Sequence, residues 1–147
     1  MTRCDLNLGF IGLGAIGRPM AANLCQAGFR LNVHTRSRSA ETAPELQEAR
    51  SCASPAEAAE AVDLLLICVS DDTAVGNVLF GSDGAASTLR PGSVVVDCST
   101  IAPATAMACA KRLAQQEINY LDAPVTGGTE GAKAGTLTLL VGGESTA

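Results

Sequence analysis

Aromatic side chains are scarce in this sequence, which has no Trp, one Tyr and three Phe. Its core cannot rest on large rings. Ala, Val, Leu and Gly must fill it, as they do in a parallel sheet covered by helices. Basic clusters are missing as well, and the formal net charge is −5, which argues against nucleic acid or an anionic membrane as partner. The densest basic spot is Arg36 with Arg38. No apolar run approaches membrane-spanning length, and the N-terminus lacks a signal-peptide pattern, since Arg3 is followed by Asp5 and then directly by an apolar run. These absences predict a soluble cytoplasmic chain.

Cys4, Cys25, Cys52, Cys68, Cys98 and Cys109 include no C-x-x-C pair. Cys68 and Cys98 fall inside or at the end of apolar runs, so the expectation is buried free thiols in a reducing compartment, without disulfides or a metal site. A length of 147 residues suits one domain with a proper core, and not two.

Apolar runs alternate with helical segments throughout, the pattern of repeated βαβ units and a mostly parallel sheet. Strands are expected at Leu6–Ile11, Leu31–His34, Val62–Val69, Ser93–Asp97, Tyr120–Val125 and Leu137–Val141. Helices are expected at Ile16–Ala27 with Gly28 as C-terminal cap, at Pro44–Arg50, and from Ser54 to about Ala61. Ser54-Pro55-Ala56-Glu57 has the form of a capping box. Two further helices should run from an Asp71 or Asp72 cap to Leu79 and from Pro103 to Gln116. No repeat, low-complexity tract or linker stands out.

The most informative stretch is Gly12-Leu13-Gly14-Ala15-Ile16-Gly17, a G-x-G-x-x-G between an apolar run and an Ala-rich helical segment. In that setting the first glycine makes the strand-to-helix turn. The second admits a pyrophosphate to the backbone, and the third lets helix and strand pack closely. The pattern predicts dinucleotide binding.

The end of the second strand bears on which dinucleotide. An NAD site usually places Asp or Glu there to accept hydrogen bonds from the adenosine ribose, and that carboxylate repels a 2′-phosphate. This chain has Thr35-Arg36-Ser37-Arg38. A guanidinium can fork onto a phosphate and hydroxyls add neutral donors, so Arg36 is expected to contact NADP, with NAD as the alternative. The plainer reading of both arginines is solvated loop residues, and it is preferred for Arg38. His34, just inside the strand, is read as packing.

Asp97-Cys98-Ser99-Thr100 sits at the C-terminal end of a strand, the edge where open α/β sheets bind ligands. By the residues alone the Ser99–Thr100 pair is a helix cap, with Thr100 within reach of a nicotinamide ribose as the second reading. Asp122-Ala123-Pro124-Val125-Thr126-Gly127-Gly128 offers a hydroxyl and exposed backbone N–H groups, which suit a small carboxylate, or it is a Gly-rich turn without a ligand.

Together these blocks resemble the β-hydroxyacid dehydrogenase family, which takes in 3-hydroxyisobutyrate dehydrogenase and tartronate semialdehyde (2-hydroxy-3-oxopropionate) reductase. The match comprises Gly9 to Gly14, Arg18 to Ala21, Asn23-Leu24, Asp97-x-Ser99-Thr100 and Asp122 to Gly128. Gly131-Ala132, Gly135 to Thr138 and Val141 to Gly143 complete it, in order along essentially the whole chain. The resemblance implies a Rossmann-type α/β domain with helices on both faces, binding NADP for an oxidoreductase that interconverts a small β-hydroxyacid and its semialdehyde. It places Gly12 to Gly17 (with Leu13, Ala15 and Ile16) on the pyrophosphate, and Thr35, Arg36 and Ser37 at the adenosine ribose. Val69, Ser70 and Thr100 fall on the nicotinamide side, and Thr126, Gly127 and Gly128 on the substrate. Thr126 departs from the family's usual Ser, keeping the hydroxyl and narrowing the pocket by a methyl.

The family's members run to about twice this length, with an all-helical C-terminal domain. The resemblance therefore implies that the domain spanning residues 1–147 is incomplete at its C-terminal end. The family's catalytic Lys then lies beyond Ala147, so no catalytic residue falls within this chain. Neither Lys111, in a surface helix, nor Lys133, in a Gly-rich loop, is read as its substitute. The chain alone is expected to be inactive, and the intact family protein to form homo-oligomers. An imine reductase of the same lineage and a stand-alone, non-catalytic NADP-binding module are the competing readings. Apolar surface and an open edge at Leu137–Val141 are expected to make the isolated chain self-associate.

Overall fold

A computed structural model describes residues 5–145, so Cys4 lies outside the described residues. Six parallel strands form one sheet: β1 (Asn7–Ile11), β2 (Arg30–His34), β3 (Arg50–Ser51), β4 (Leu64–Ile67), β5 (Val94–Asp97) and β6 (Asn119–Asp122). Their order is β3-β2-β1-β4-β5-β6. The chain winds outward from β1 to β3, then returns to the other side of β1 with β4. That reversal leaves a crevice at the C-terminal ends of β1 and β4.

Helices cover both faces. On one face α1 (Gly17–Gln26) lays Ala21 and Ala22 against Leu8, Phe10, Leu31 and Val33. Beyond β4 this face is only half-buried at Val94, Val96 and Leu121. On the other face, α3 (Asp72–Phe80) and α4 (Pro103–Ala114) bury Val75, Leu79, Ala106, Cys109 and Leu113 against Ile11, Leu65, Ile67 and Val95. Small residues on the helices bring them close to the β-branched and leucine side chains of the strands, as the scarcity of aromatics requires.

Several expected elements take a different form. Pro44–Arg50 is not an α-helix: two 3₁₀ turns, Ser39–Thr42 and Pro44–Leu46, precede β3. Ala43, before a proline, is extended at ψ 140° and interrupts any helix there. α2 spans only Pro55–Ala58, and Ala61 turns left-handed at φ 58°. Ser54 Oγ accepts the Glu57 N–H at 3.1 Å, as a capping box requires, but Glu57 reaches back to the Ala53 N–H at 2.7 Å instead of that of Ser54. Of the two candidate caps on α3, Asp71 is the one used, accepting from the Ala74 N–H at 2.8 Å.

Tyr120–Val125 is divided. Pro124 has no N–H to extend the ladder, so β6 stops at Asp122. β7 (Val125–Thr126) then pairs antiparallel with β8 (Thr138–Leu139) in a separate ribbon. Leu137–Val141 therefore does not join the main sheet, and Leu140 and Val141 are exposed. The segment read as a Gly-rich loop around Lys133 is α5 (Gly128–Ala134), fixed to α1 by Asn23 Nδ2 donating to the Ala132 carbonyl at 2.8 Å. The described cysteines are all free, with Cys52, Cys98 and Cys109 buried and Cys25 and Cys68 half-buried. No helix among the described residues is long and apolar enough to cross a membrane.

Candidate functional site

β1 delivers the glycine turn to the crevice, and its geometry explains two of the three glycines from folding alone. Gly12 has φ 99°, and a Cβ there would lie 2.1 Å from the Cys68 carbonyl oxygen. A Cβ on Gly17 would lie 1.9 Å from the Gly12 carbonyl oxygen. Gly14 differs, because a Cβ there would meet nothing within 4 Å. Its lack of a side chain satisfies no contact within the fold, as expected where a ligand approaches the backbone.

The turn forms one wall of a cavity of about 550 Å³. Ile11 to Gly17 line it with His34, Thr35 and Arg36 from the end of β2 and Cys68, Val69 and Ser70 from the end of β4. Pro55 and the α3 residues Ala74, Asn77 and Val78 complete the lining. The lining contains no Asp or Glu. Arg36 is exposed, with no hydrogen bond or ion pair among the described residues.

Thr35 joins two edges of the cavity, its Oγ1 accepting the Leu13 N–H at 3.4 Å. Beneath it lies Glu41, which the sequence reading missed. This buried carboxylate accepts from the Thr35 N–H and from Arg38 Nε, each at 2.8 Å, and from the Ser51 hydroxyl. Burial alone would raise its pKa, but the hydrogen bonds from Ser51, Thr35 and Arg38 outweigh burial and hold it below the ordinary range. Arg38 is thus no freely solvated loop residue, contrary to expectation. His34 is buried and its Nδ1 donates to the Cys52 carbonyl at 2.9 Å, a structural role as read.

Ser99 does not cap α4. That helix starts from Ala102, which has no side chain to cap with, and Asp72 of α3 accepts the Ala102 N–H at 3.0 Å. Ser99 Oγ instead accepts the Val69 N–H at 3.0 Å and so fixes the β4 edge of the cavity. Asp97 accepts the Ser99 N–H at 2.9 Å and the Tyr120 hydroxyl at 2.7 Å. Burial, then the Asp97 charge, pushes the Cys68 thiol up to about 11. Burial, then Cys68 and Asp97, pushes Cys98 up to about 12. Both are protonated at neutral pH and neither is a ready nucleophile.

The remaining candidates lie outside this cavity wall. Ser37 contacts Ser39 through their hydroxyls at 3.3 Å, and Thr100 is exposed just after Ser99. Thr126 pairs with Thr138 in the ribbon, while Gly127 and Gly128, at φ 132° and 64°, open α5. Lys111 is exposed on α4, and Lys133 on α5 pairs with Glu130 at 3.3 Å. Among the described residues no group of three or more His, Cys, Asp or Glu is placed to hold a metal.

The family model described as the NAD binding domain of 6-phosphogluconate dehydrogenase matches residues 7–147. The 2-(hydroxymethyl)glutarate dehydrogenase of Eubacterium barkeri is 39% identical over 138 residues, covering 94% of this chain and 46% of that protein. The 2-hydroxy-3-oxopropionate reductase of Escherichia coli K12 is 41% identical over 139 residues, covering 95% of this chain and 47% of that protein. Among solved structures, Psf3 in complex with NADP+ and 2-OPP superposes with a TM-score of 0.88 at 35% identity, over 95% of this chain and 49% of that one. The chain spans about half the length of the curated relatives it matches.

Proposed function

The chain belongs to the family of the NAD binding domain of 6-phosphogluconate dehydrogenase, and we propose that its cleft takes NADP(H) for a reaction between a small β-hydroxyacid and its semialdehyde. The observation that carries the cofactor choice is the charge of the cavity wall: one guanidinium, Arg36, unpartnered among the described residues, and no carboxylate. A unit charge pair near a protein surface is worth about 4 kcal/mol at contact. About 1.4 kcal/mol already gives tenfold preference.

In this reading the turn from Gly12 to Gly17 holds the pyrophosphate through the N–H groups after Leu13, since those of Gly12 and Leu13 go to the His34 carbonyl and Thr35 Oγ1. Thr35, Arg36 and Ser37 hold the phosphorylated ribose. Val69, Ser70 and Thr100 line the nicotinamide side. Thr126, Gly127 and Gly128 bind the carboxylate and hydroxyl of the substrate. The bound dinucleotide supplies or accepts a hydride; the residues named here bind and orient. The relatives' names, a hydroxymethylglutarate dehydrogenase and a hydroxy-oxopropionate reductase, support a small hydroxyacid or semialdehyde as substrate class. Calorimetric titration with NADPH and NADH tests the cofactor assignment. NADPH should bind about tenfold more tightly or better, and equal affinities would overturn it.

Neither of the chain's two lysines lies on the cavity wall. We therefore propose that the 147-residue polypeptide binds cofactor without turning substrate over. NADPH-dependent reduction of a small semialdehyde by this polypeptide alone would refute that.

A further inference from the structure

The loop after β2 carries a carboxylate of its own, turned inward. The Glu41 side chain is 1% exposed, and its two oxygens together take the Thr35 N–H, Arg38 Nε and the Ser51 hydroxyl. His34 Nδ1 lies 3.7 Å away. Arg38, at φ 63°, holds a left-handed conformation uncommon outside glycine, which brings its guanidinium over Glu41. Arg36, two residues earlier, has no partner among the described residues and faces the cavity.

A carboxylate close to the end of the second strand is the group that favours a free ribose over a 2′-phosphorylated one in dinucleotide folds. Here the acid is present, but both its oxygens accept hydrogen bonds and its charge is paired. We propose that Arg38 and Glu41 form a specificity-determining pair, in which Arg38 cancels the buried carboxylate so that a 2′-phosphate meets Arg36 alone. Neither residue lines the cavity, so both are positioning residues. This inference rests on the NADP reading above. It also explains why Arg36 stays available: Glu41, the carboxylate buried under this turn, is engaged by Arg38. A buried carboxylate left without its cation is strongly unfavourable, so in the absence of Arg38 the Glu41 charge would act on whatever binds at Thr35 and Arg36.

The test uses the full chain with NADPH, NADH and adenosine 2′-monophosphate, titrated calorimetrically into wild type, R38Q, E41Q and R38Q/E41Q, with a thermal melt for each. R38Q should weaken NADPH and adenosine 2′-monophosphate about tenfold or more and NADH less than about threefold. E41Q and the double variant should keep the NADPH-to-NADH ratio within about threefold of wild type, because neither carries an uncancelled acid. A double variant as impaired as R38Q would overturn the inference, since loop geometry and not charge would then be the cause. An unchanged ratio in R38Q would overturn it too. If R38Q melts below the assay temperature, the double variant carries the test, because it strands no buried charge, and loss of the ratio there is again fatal. The wild-type ratio tests the proposed cofactor. The change in ratio among the variants tests the pair whichever dinucleotide the wild type prefers.

Discussion

The Tyr120 hydroxyl donates to Asp97 Oδ2 at 2.7 Å, from β6 to the fully buried end of β5. The other oxygen of the same carboxylate accepts the Ser99 N–H at 2.9 Å, and Ser99 Oγ accepts the Val69 N–H at 3.0 Å. A continuous series of hydrogen bonds therefore runs from β6 to the cavity wall. The acid at the strand end is committed to architecture, and Ser99, which read as a helix cap, serves to hold Val69 in place.

Tyr120 is the chain's single tyrosine, so the phenolate absorbance reports this site alone. Burial first, then the Asp97 charge and the hydrogen bond to it, pushes the phenol well above its ordinary value. A phenol whose folded pKa is raised contributes stability that is present below its unfolded pKa of about 10 and lost as pH rises above it. In an alkaline titration the phenolate signal should appear together with loss of the far-ultraviolet circular dichroism. Ionisation near pH 10 with the fold intact would show that the Asp97 contact does not persist in solution.

Ser99→Ala removes the acceptor of the Val69 N–H without changing a charge. A donor left unsatisfied costs about 1–3 kcal/mol, and Val69 lies on the cavity wall. Urea denaturation should show a lower midpoint at unchanged slope, and NADPH should bind more weakly than to wild type. A variant with wild-type midpoint and affinity would mean that water replaces the hydroxyl at no cost.

Glu41 gives the fold an acid-sensitive element. Its folded pKa is lowered despite burial, by the donors Ser51, Thr35 and Arg38. A carboxyl depressed in this way contributes stability that is present above its unfolded pKa of about 4.3 and lost as pH falls through the folded value. Glu41→Gln should therefore be less stable than wild type at neutral pH, with the gap narrowing below about pH 4. Urea midpoints measured at both pH values check the sign, and a gap that widens in acid would contradict it.

The sequence made legible whatever depends on local pattern. The strand before Gly12 and the helix closed by Gly28 are found, and the Val62–Val69 run is a strand over Leu64–Ile67, because hydrophobic period and glycine placement act over neighbouring residues. What it hid depends on distance through space. Nothing local marks Glu41 as a buried partner of Thr35, since its burial follows from a 3₁₀ turn folding back on β2. Ser99 has the composition of a cap, yet it bonds across to Val69, thirty residues earlier. α5 is obscured by Gly127, Gly128 and Gly131, which read as a loop; the segment forms a helix held against α1 by the Asn23 hydrogen bond to Ala132. Arg38, read as solvated, is drawn in by a charge that the linear sequence does not place beside it.

The three turn glycines separate folding from binding, and substituting each with Ala should give two kinds of outcome. Gly12→Ala and Gly17→Ala drive a methyl group to within 2.1 and 1.9 Å of backbone oxygens, contacts that only a backbone shift can relieve. Both should lower the thermal midpoint sharply, with losses above about 3 kcal/mol. Gly14→Ala meets nothing within 4 Å, Gly14 is not among the positive-φ glycines, and alanine there loses less backbone freedom on folding. Its thermal midpoint should stay at or above that of wild type. If a pyrophosphate approaches the backbone there, NADPH and NADH should both weaken about tenfold or more, because the added methyl stands where both dinucleotides share the same group. Calorimetry on Gly14→Ala with the two cofactors decides the matter: a stable variant that binds both as wild type does would remove the glycine turn from the cofactor site.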